Sequence, residues 1–333
     1  MKKSQFVKDL KLGDAVDSPF LILEMKFYKF SQQKRPGEKF VRLLLADNSG
    51  TIKSILWNGS LAEDLSLSPG TVINVRGEVG EYNGLQVTVN SLEILPEEQV
   101  NRRYFQNCSA REPKDMLNQL SRVMDQEITH PKLRLLLYSF FKDKDFARVF
   151  AMAPAARKVH HNYLGGLLEH TLEVAEHCRT MLKLYPRRLH PSLLLTGAIL
   201  HDIGKLKEYD LQSLAFNLTD RGKLVGHICM GLEMVQEKLN GLEGFPGDIR
   251  LELEHMLLSH HGEKEWGAPE VPKTLNAYAL FHADLVSARL NQFSGLLEKG
   301  QGVEPGWSEW DRLLARSIYL ESPQPGAPVQ AED

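Results

Sequence analysis

Seven side chains in the second half of this 333-residue chain have the types and order to hold metal ions: His170, the adjacent pair His201-Asp202, His227, the adjacent pair His260-His261, and Asp284. Imidazole and carboxylate groups ligate divalent first-row transition metals, and facing helices of a bundle can collect them at one point. Neighbouring residues on a helix diverge by about 100°, so the His201-Asp202 pair can reach two ions, with the carboxylate bridging them. Lys205 returns to the face of His201 about one turn on, where its ammonium would meet a phosphate oxygen. His255 lies roughly 500° of helix before His260, and His282 lies on a different face from Asp284, so both are expected to be structural. His130, His177 and His190 fall outside the pattern and are expected at the surface.

Each candidate ligand lies in or at the end of a segment with helical spacing: GLLEHTLEVAEH, LLLTGAILHDIGK, GHICMGLEMVQ, LEHMLLSHHG and NAYALFHADLVSARL. This periodicity begins near Lys114 and is expected to run to about Leu320. Ahead of it the pattern is that of strands. VRLLLADNSG turns into TIKSILWN, Pro69-Gly70 precedes TVINVRGEV, and Asn83-Gly84 marks a hairpin before LQVTVNSLEIL. About five short strands between residues 20 and 95, with one helical candidate near Leu61, fit a small closed barrel of OB type, an SH3-like barrel being the alternative. The expected fold is multi-domain: an N-terminal all-β OB-fold barrel (1–96), a linker (97–115), an all-α domain (116–320) with its metal core at about 160–290, and a disordered Pro-rich tail (321–333).

With 42% hydrophobic and 25% charged residues the chain can bury a sizeable core, and a net charge of −3 excludes a protein that is basic throughout. Local basic patches remain. Between Met25 and Lys53 stand Lys26, Lys29, Lys34, Arg35, Lys39, Arg42 and Lys53 against only Glu38 and Asp47. Tyr28 and Trp57 are candidates to stack on bases there, while Phe27, Phe30 and Phe40 are expected in the barrel core. A second basic run from Arg102 to Lys158 is expected to line a channel toward the site. Cys108, Cys178 and Cys229 form no C-x-x-C pair and read as buried hydrophobes of a reducing compartment. The N-terminus lacks an apolar signal-peptide core and no apolar stretch approaches a membrane span, so a cytoplasmic protein is expected. The chain has no P-loop, Rossmann fingerprint, H-E-x-x-H or G-x-S-x-G motif, which sets aside those chemistries.

LLEHT, ILHDIGK, GHI, LSHHG and the later Asp284 resemble the HD-domain metal-dependent phosphohydrolases. An OB-like barrel ahead of HHNYLGGLLEHTLEVA and LHDIGKLKEY resembles, more narrowly, the YhaM family of 3′→5′ exoribonucleases, over about residues 10–315. The resemblance implies one ion held by His170, His201, Asp202 and Asp284, and a second held by Asp202, His227, His260 and His261. A His/carboxylate shell without cysteine suits Mn²⁺ first, and Mg²⁺, Co²⁺ or Fe²⁺ as well. The resemblance also supports a phosphate-facing Lys205 and places His160 and His161 near the substrate. The expected function is a metal-dependent 3′→5′ exonuclease that hydrolyses single-stranded RNA, and also single-stranded DNA, to nucleoside monophosphates with metal-activated water. Lys26, Tyr28, Lys29, Lys34, Arg35, Arg42 and Trp57 would hold the strand; no membrane partner is expected, and homo-oligomers remain open. Two alternatives stay in view: a nucleotide or cyclic-nucleotide phosphohydrolase with a regulatory barrel, and a nucleic-acid-binding protein with an inactive HD domain.

Overall fold

The computed structural model describes residues 3–30, 38–156, 161–211, 214, 217–300 and 305–321. They divide into two compact units, one running to Ser109 and including Tyr209–Leu218, the other comprising Ala110–Glu208 and the chain from Thr219 onward.

In the first unit the alternating apolar residues form β1 (Ala15–Lys29), β2 (Lys39–Asp47), β3 (Gly50–Leu56), β4 (Val72–Glu81) and β5 (Leu85–Ile94). They close a barrel in the order β1-β2-β3-β5-β4, in which only β3 and β5 run parallel. At 15 residues β1 is longer than expected because it serves two neighbours: its first half pairs with β4 and its second with β2. The register shift between Ile22 and Glu24 bends it from one to the other. Phe20, Ile22, Val41, Leu45, Ile73, Val75 and Val87 fill the interior, and the short α1 (Gly59–Asp64) adds Ala62. Lys3 is buried too. Its ammonium lies 3.7 Å from the centre of the Phe20 ring, donates to the Pro19 carbonyl and pairs with Asp47 at 3.2 Å. Burial lowers its pKa to about 8, against the pull of Asp47.

The stretch expected as a linker packs instead. Asn48 donates from its backbone to the Tyr104 carbonyl and from its side chain to that of Arg103, both at 2.8 Å, and Phe105 is buried with Leu21 and Val72. Tyr209–Leu218 joins this unit although it lies within the expected helical domain. Gln106 Nε2 donates to the Leu214 carbonyl at 2.6 Å, and Arg102 donates to that of Leu211.

The second unit holds α2 (Pro113–Arg122), α3 (Pro131–Phe141), α4 (Lys144–Met152), α5 (Gly166–Leu184), α6 (Pro191–Leu200), α7 (Lys205–Glu208), α8 (Asp220–Leu224), α9 (His227–Asn240), α10 (Gly247–Ser259) and α11 (Leu275–Lys299). Every residue of α6 after Pro191 is buried, so α3, α5, α10 and α11 pack around it. His190 and His130 are helix caps as well as peripheral residues. Their Nδ1 atoms accept from Leu193 N (3.1 Å) and Leu133 N (3.4 Å), each just ahead of a proline at the first helical position. Helix ends at Lys299 rather than near Leu320: residues 305–321 fold back through bridges between Trp307 and Tyr319 and between Asp311 and Arg316. Most of the expected tail (322–333), Lys34, Arg35 and His160 lie outside the described residues. Among the described residues no helix is long and apolar enough to cross a membrane.

Candidate metal centre

His170 comes from α5, His201 and Asp202 from the turn after α6, His227 from the first residue of α9, His260 and His261 from the end of α10, and Asp284 from α11. They form two groups, His170/His201/Asp284 and His227/His260/His261, with the ligand atoms of each within 4.8 Å of one another. Asp202 stands between them. Its Oδ2 lies 3.3 Å from His201 Nε2 and 3.6 Å from His170 Nε2; its Oδ1 lies 3.5 Å from His227 Nε2 and 3.7 Å from His260 Nε2. Asp284 Oδ1 is 3.0 Å from His170 Nε2. Two pairs of imidazoles face each other through Nε2, His170 with His201 at 3.2 Å and His227 with His261 at 3.3 Å.

Facing lone pairs repel, whereas two nitrogens each about 2.1 Å from a shared ion stand about 3.0–3.4 Å apart at octahedral or tetrahedral angles. Asp202 Oδ1 and His260 Nε2 are buried and have no hydrogen-bond partner among the described residues. Orphaned groups of this kind are costly unless a cation meets them. The donor set therefore fits divalent ions.

Local structure sets the tautomers. His201 and His260 follow the last turns of α6 and α10, and their Nδ1 atoms donate to the carbonyls of Ala198 (2.9 Å) and Leu257 (2.8 Å), which the helix ends leave free. His261 Nδ1 donates to the Trp266 carbonyl (3.2 Å), His227 Nδ1 to Glu208 Oε1 (3.0 Å) and His170 Nδ1 to Ser287 Oγ (2.9 Å). All five rings thus turn Nε2 toward the centre. The helix expected to continue through Lys205 breaks after Leu200, so His201 and Asp202 converge where a straight helix would splay them. Lys205, opening α7, reaches Asp202 Oδ2 at 2.5 Å. Gly204 permits the break to pack: a Cβ there would lie 2.0 Å from the His227 carbonyl oxygen.

Burial lowers the pKa of His170 and His260, favouring neutral rings, and burial with the neighbouring His260 and His227 pushes His261 down to about 3. His201 goes the other way: burial would lower it, but Asp202 beside it raises it. Burial would raise both carboxyls, yet Lys205 and His201 hold Asp202 well below the usual range, and His170 and His201 do so for Asp284. Mostly neutral imidazoles around ionised carboxylates are the protonation states that a cation needs.

His161, placed near the substrate by the resemblance, has its ring 5.3 Å from that of His170. It is fully buried, its backbone N donates to Asn291 Oδ1 (2.8 Å), and its ring lies between Tyr163 Oη (2.8 Å) and Glu173 Oε2 (3.2 Å). Ser287 donates to Glu173 at 2.7 Å, which completes a chain from His161 to His170 behind the ligands. Glu173, Ser287 and Glu208 went unnoticed in the sequence. Spacing offered a signal for two of them, because each stands three residues after a candidate ligand on the same helix face. His255 is structural as expected, its Nε2 accepting from Lys273 N at 2.8 Å, and His282 packs on Tyr278 and Phe281. Among the described residues the cations that line the pocket beside the centre are Lys205 and Arg289, and none belongs to the basic run. Arg111 bonds Gln119, Arg148 pairs with Asp145, Lys132 is held by the Glu243 carbonyl, and Arg157 and Lys158 lie outside the described residues.

On the barrel, Lys26 pairs with Arg42 and Tyr28 with Phe40 across β1 and β2. Tyr28 stacks on Phe40 at 5.4 Å, Trp57 lies 5.5 Å from Phe40 and 5.9 Å from Phe30, and the Arg42 guanidinium sits 4.9 Å from the Tyr28 ring. Phe30 and Phe40 are therefore part of an outer cluster, and Phe27 is exposed; none of the three joins the core. Cross-strand aromatic pairing holds them outside. A groove of about 290 Å³ runs between Lys26, Arg42, Lys53 and Tyr82, and Lys29 ends β1 opposite Lys39.

A family profile described as HD domain matches residues 167–289, one described as OB-fold nucleic acid binding domain matches 26–95, and one of a helicase family matches 102–185, where this chain has no P-loop. Relatives named 3′-5′ exoribonuclease YhaM match nearly end to end. The one from Shouchella clausii is 31% identical over 95% of this chain and 96% of its own, and that from Oceanobacillus iheyensis is 33% identical over 85% and 88%. That from Halalkalibacterium halodurans is 31% identical over 93% and 94%. With an OB barrel ahead of a helical HD domain, and relatives of this identity along almost its whole length, the chain belongs to the YhaM family of 3′→5′ exoribonucleases.

Proposed function

We propose that the chain is a metal-dependent 3′→5′ exoribonuclease that shortens single-stranded RNA, and also single-stranded DNA, releasing nucleoside monophosphates in the cytoplasm. The observation that carries the reading is Asp202, one buried carboxylate whose two oxygens face two separate sets of imidazoles. His170, His201, Asp202 and Asp284 would hold one ion and Asp202, His227, His260 and His261 a second, Mn²⁺ being the proposed metal. Divalent ions so held lower the pKa of coordinated water and neutralise charge on the phosphoryl oxygens.

The residues of the chain do the rest. Glu208 and Ser287 lock His227 and His170 in the ligating tautomer. Lys205 keeps Asp202 ionised, and from the pocket wall its ammonium would meet a phosphate oxygen. Lys26, Arg42 and Lys53 would track the backbone of the strand while Tyr28 and Trp57 offer faces for bases. The test is a 5′-labelled single strand incubated with Mn²⁺. Progressive shortening of the labelled product supports the reading; immediate release of a labelled mononucleotide, or undiminished cleavage in EDTA, contradicts it.

A further inference from the structure

Beside the second imidazole group lies a pocket of about 280 Å³ whose far wall belongs to no candidate ligand. Trp266 forms one side. It ends the short turn Lys264–Trp266 that follows the His260-His261 pair, its carbonyl accepts from His261 Nδ1 at 3.2 Å, and its indole is half exposed at 6.2 Å from the Phe281 ring. Arg289 forms the other, five residues beyond Asp284 on α11. Its Nη1 donates to the Leu313 carbonyl (3.1 Å) and to Gln292 Oε1 (3.3 Å), and among the described residues its Nε and Nη2 make no hydrogen bond. The segment 305–321 is tied down here as well: Gln292 Nε2 donates to Asp311 Oδ1 at 2.8 Å, and the same oxygen accepts from the Leu313 and Leu314 backbones. Leu313 thereby becomes part of the pocket wall.

An exposed indole held by its own backbone, a fixed guanidinium with donors to spare and an ammonium at Lys205 surround one small cavity next to the ligands. An aromatic face serves a nucleobase, and a planar cation serves a phosphate. We infer that this pocket receives the 3′-terminal nucleotide of the strand, with its base against Trp266 and a phosphate oxygen on Arg289. The inference rests on the exoribonuclease reading and specifies its substrate subsite. Because every base has a flat face, the pocket favours any base over none, without choosing among the four.

The test compares two 5′-labelled RNA strands in Mn²⁺, one with an ordinary 3′-terminal nucleotide and one whose terminal nucleotide is abasic. The native enzyme shows a KM about tenfold higher for the abasic strand, in line with the worth of one stacked base. Trp266→Ala, which keeps the carbonyl that holds His261, raises KM for the ordinary strand to meet that of the abasic one, and Trp266→Phe restores most of the difference. Arg289→Ala raises KM about equally for both strands. Preference for the base that survives Trp266→Ala, or a native enzyme that shortens both strands with equal KM, overturns the inference alone. A native enzyme that shortens neither strand from its 3′ end overturns both the inference and the reading beneath it.

Discussion

Around Asp202 every ligating ring has its Nδ1 fixed by a named partner, and most of the side chains concerned are buried; on the outer face of the barrel Tyr28, Arg42 and Trp57 rest on ring contacts among themselves, Phe30 and Phe40, and Lys26 on an exposed pairing with Glu24. The first arrangement suits chemistry, where displacement of a ligand by a fraction of an ångström is felt. The second suits a grip on a polymer of varied sequence, where each contact is weak, additive and tolerant of slippage. Substitutions in the two regions should therefore fail differently: all-or-none in the centre, graded on the barrel.

The largest expected effect follows from this contrast. Asp202→Ala removes the shared carboxylate and should bring cleavage to below about a thousandth of the native rate, while affinity for a single strand, read by fluorescence anisotropy, stays within about twofold. Loss of binding in parallel would mean that the two regions are not separate in function. Next come the residues behind the ligands. Glu208→Gln or Ser287→Ala should weaken Mn²⁺ binding by about 10–100-fold, with activity recovered at high Mn²⁺; activity that stays low at saturating metal would show that they do more than orient a ring.

On the barrel, Tyr28→Ala or Trp57→Ala should each cost about 1–3 kcal/mol of strand affinity, and Arg42→Ala should reduce the slope of log affinity against log salt by about 0.7. Saturating strand should restore the turnover of all three. A further expected effect concerns pH. His261 is held at about 3 in the folded protein against an ordinary 6.5, so between those values the unfolded chain binds a proton that the folded chain excludes. The contribution of His261 to the stability of the metal-free protein should thus be full above about pH 6.5 and fall as pH drops toward 3. His261→Gln should make the Tm decline more shallowly over that range; an identical decline would show that His261 does not titrate as its burial dictates.

Much of this was readable from residue types and order. The seven candidate ligands stood out because imidazoles and carboxylates recurred at helix-compatible positions, and the barrel because period-two runs alternated with strong turn dipeptides. What escaped was set by geometry that one-dimensional patterns do not carry. Phenylalanine type does not reveal which side of a strand faces out, so the sequence alone points Phe27, Phe30 and Phe40 to the core that they do not join. The apolar run through Leu200 carries no sign of the break that lets His201 and Asp202 converge. The resemblance puts His161 near the substrate, but spacing carries no sign that Tyr163 Oη and Glu173 Oε2 lie against its ring nitrogens at 2.8 and 3.2 Å. Lys3, an N-terminal lysine, gave no hint that Asp47 would draw it into the barrel wall.

Electron paramagnetic resonance of the protein after dialysis against Mn²⁺ tests the shared-carboxylate centre most directly. Two ions per chain with an exchange-coupled signal, reduced to isolated six-line Mn²⁺ in Asp202→Ala, is the expected result; isolated six-line signals from the native protein, or coupling that persists without the carboxylate, would contradict it.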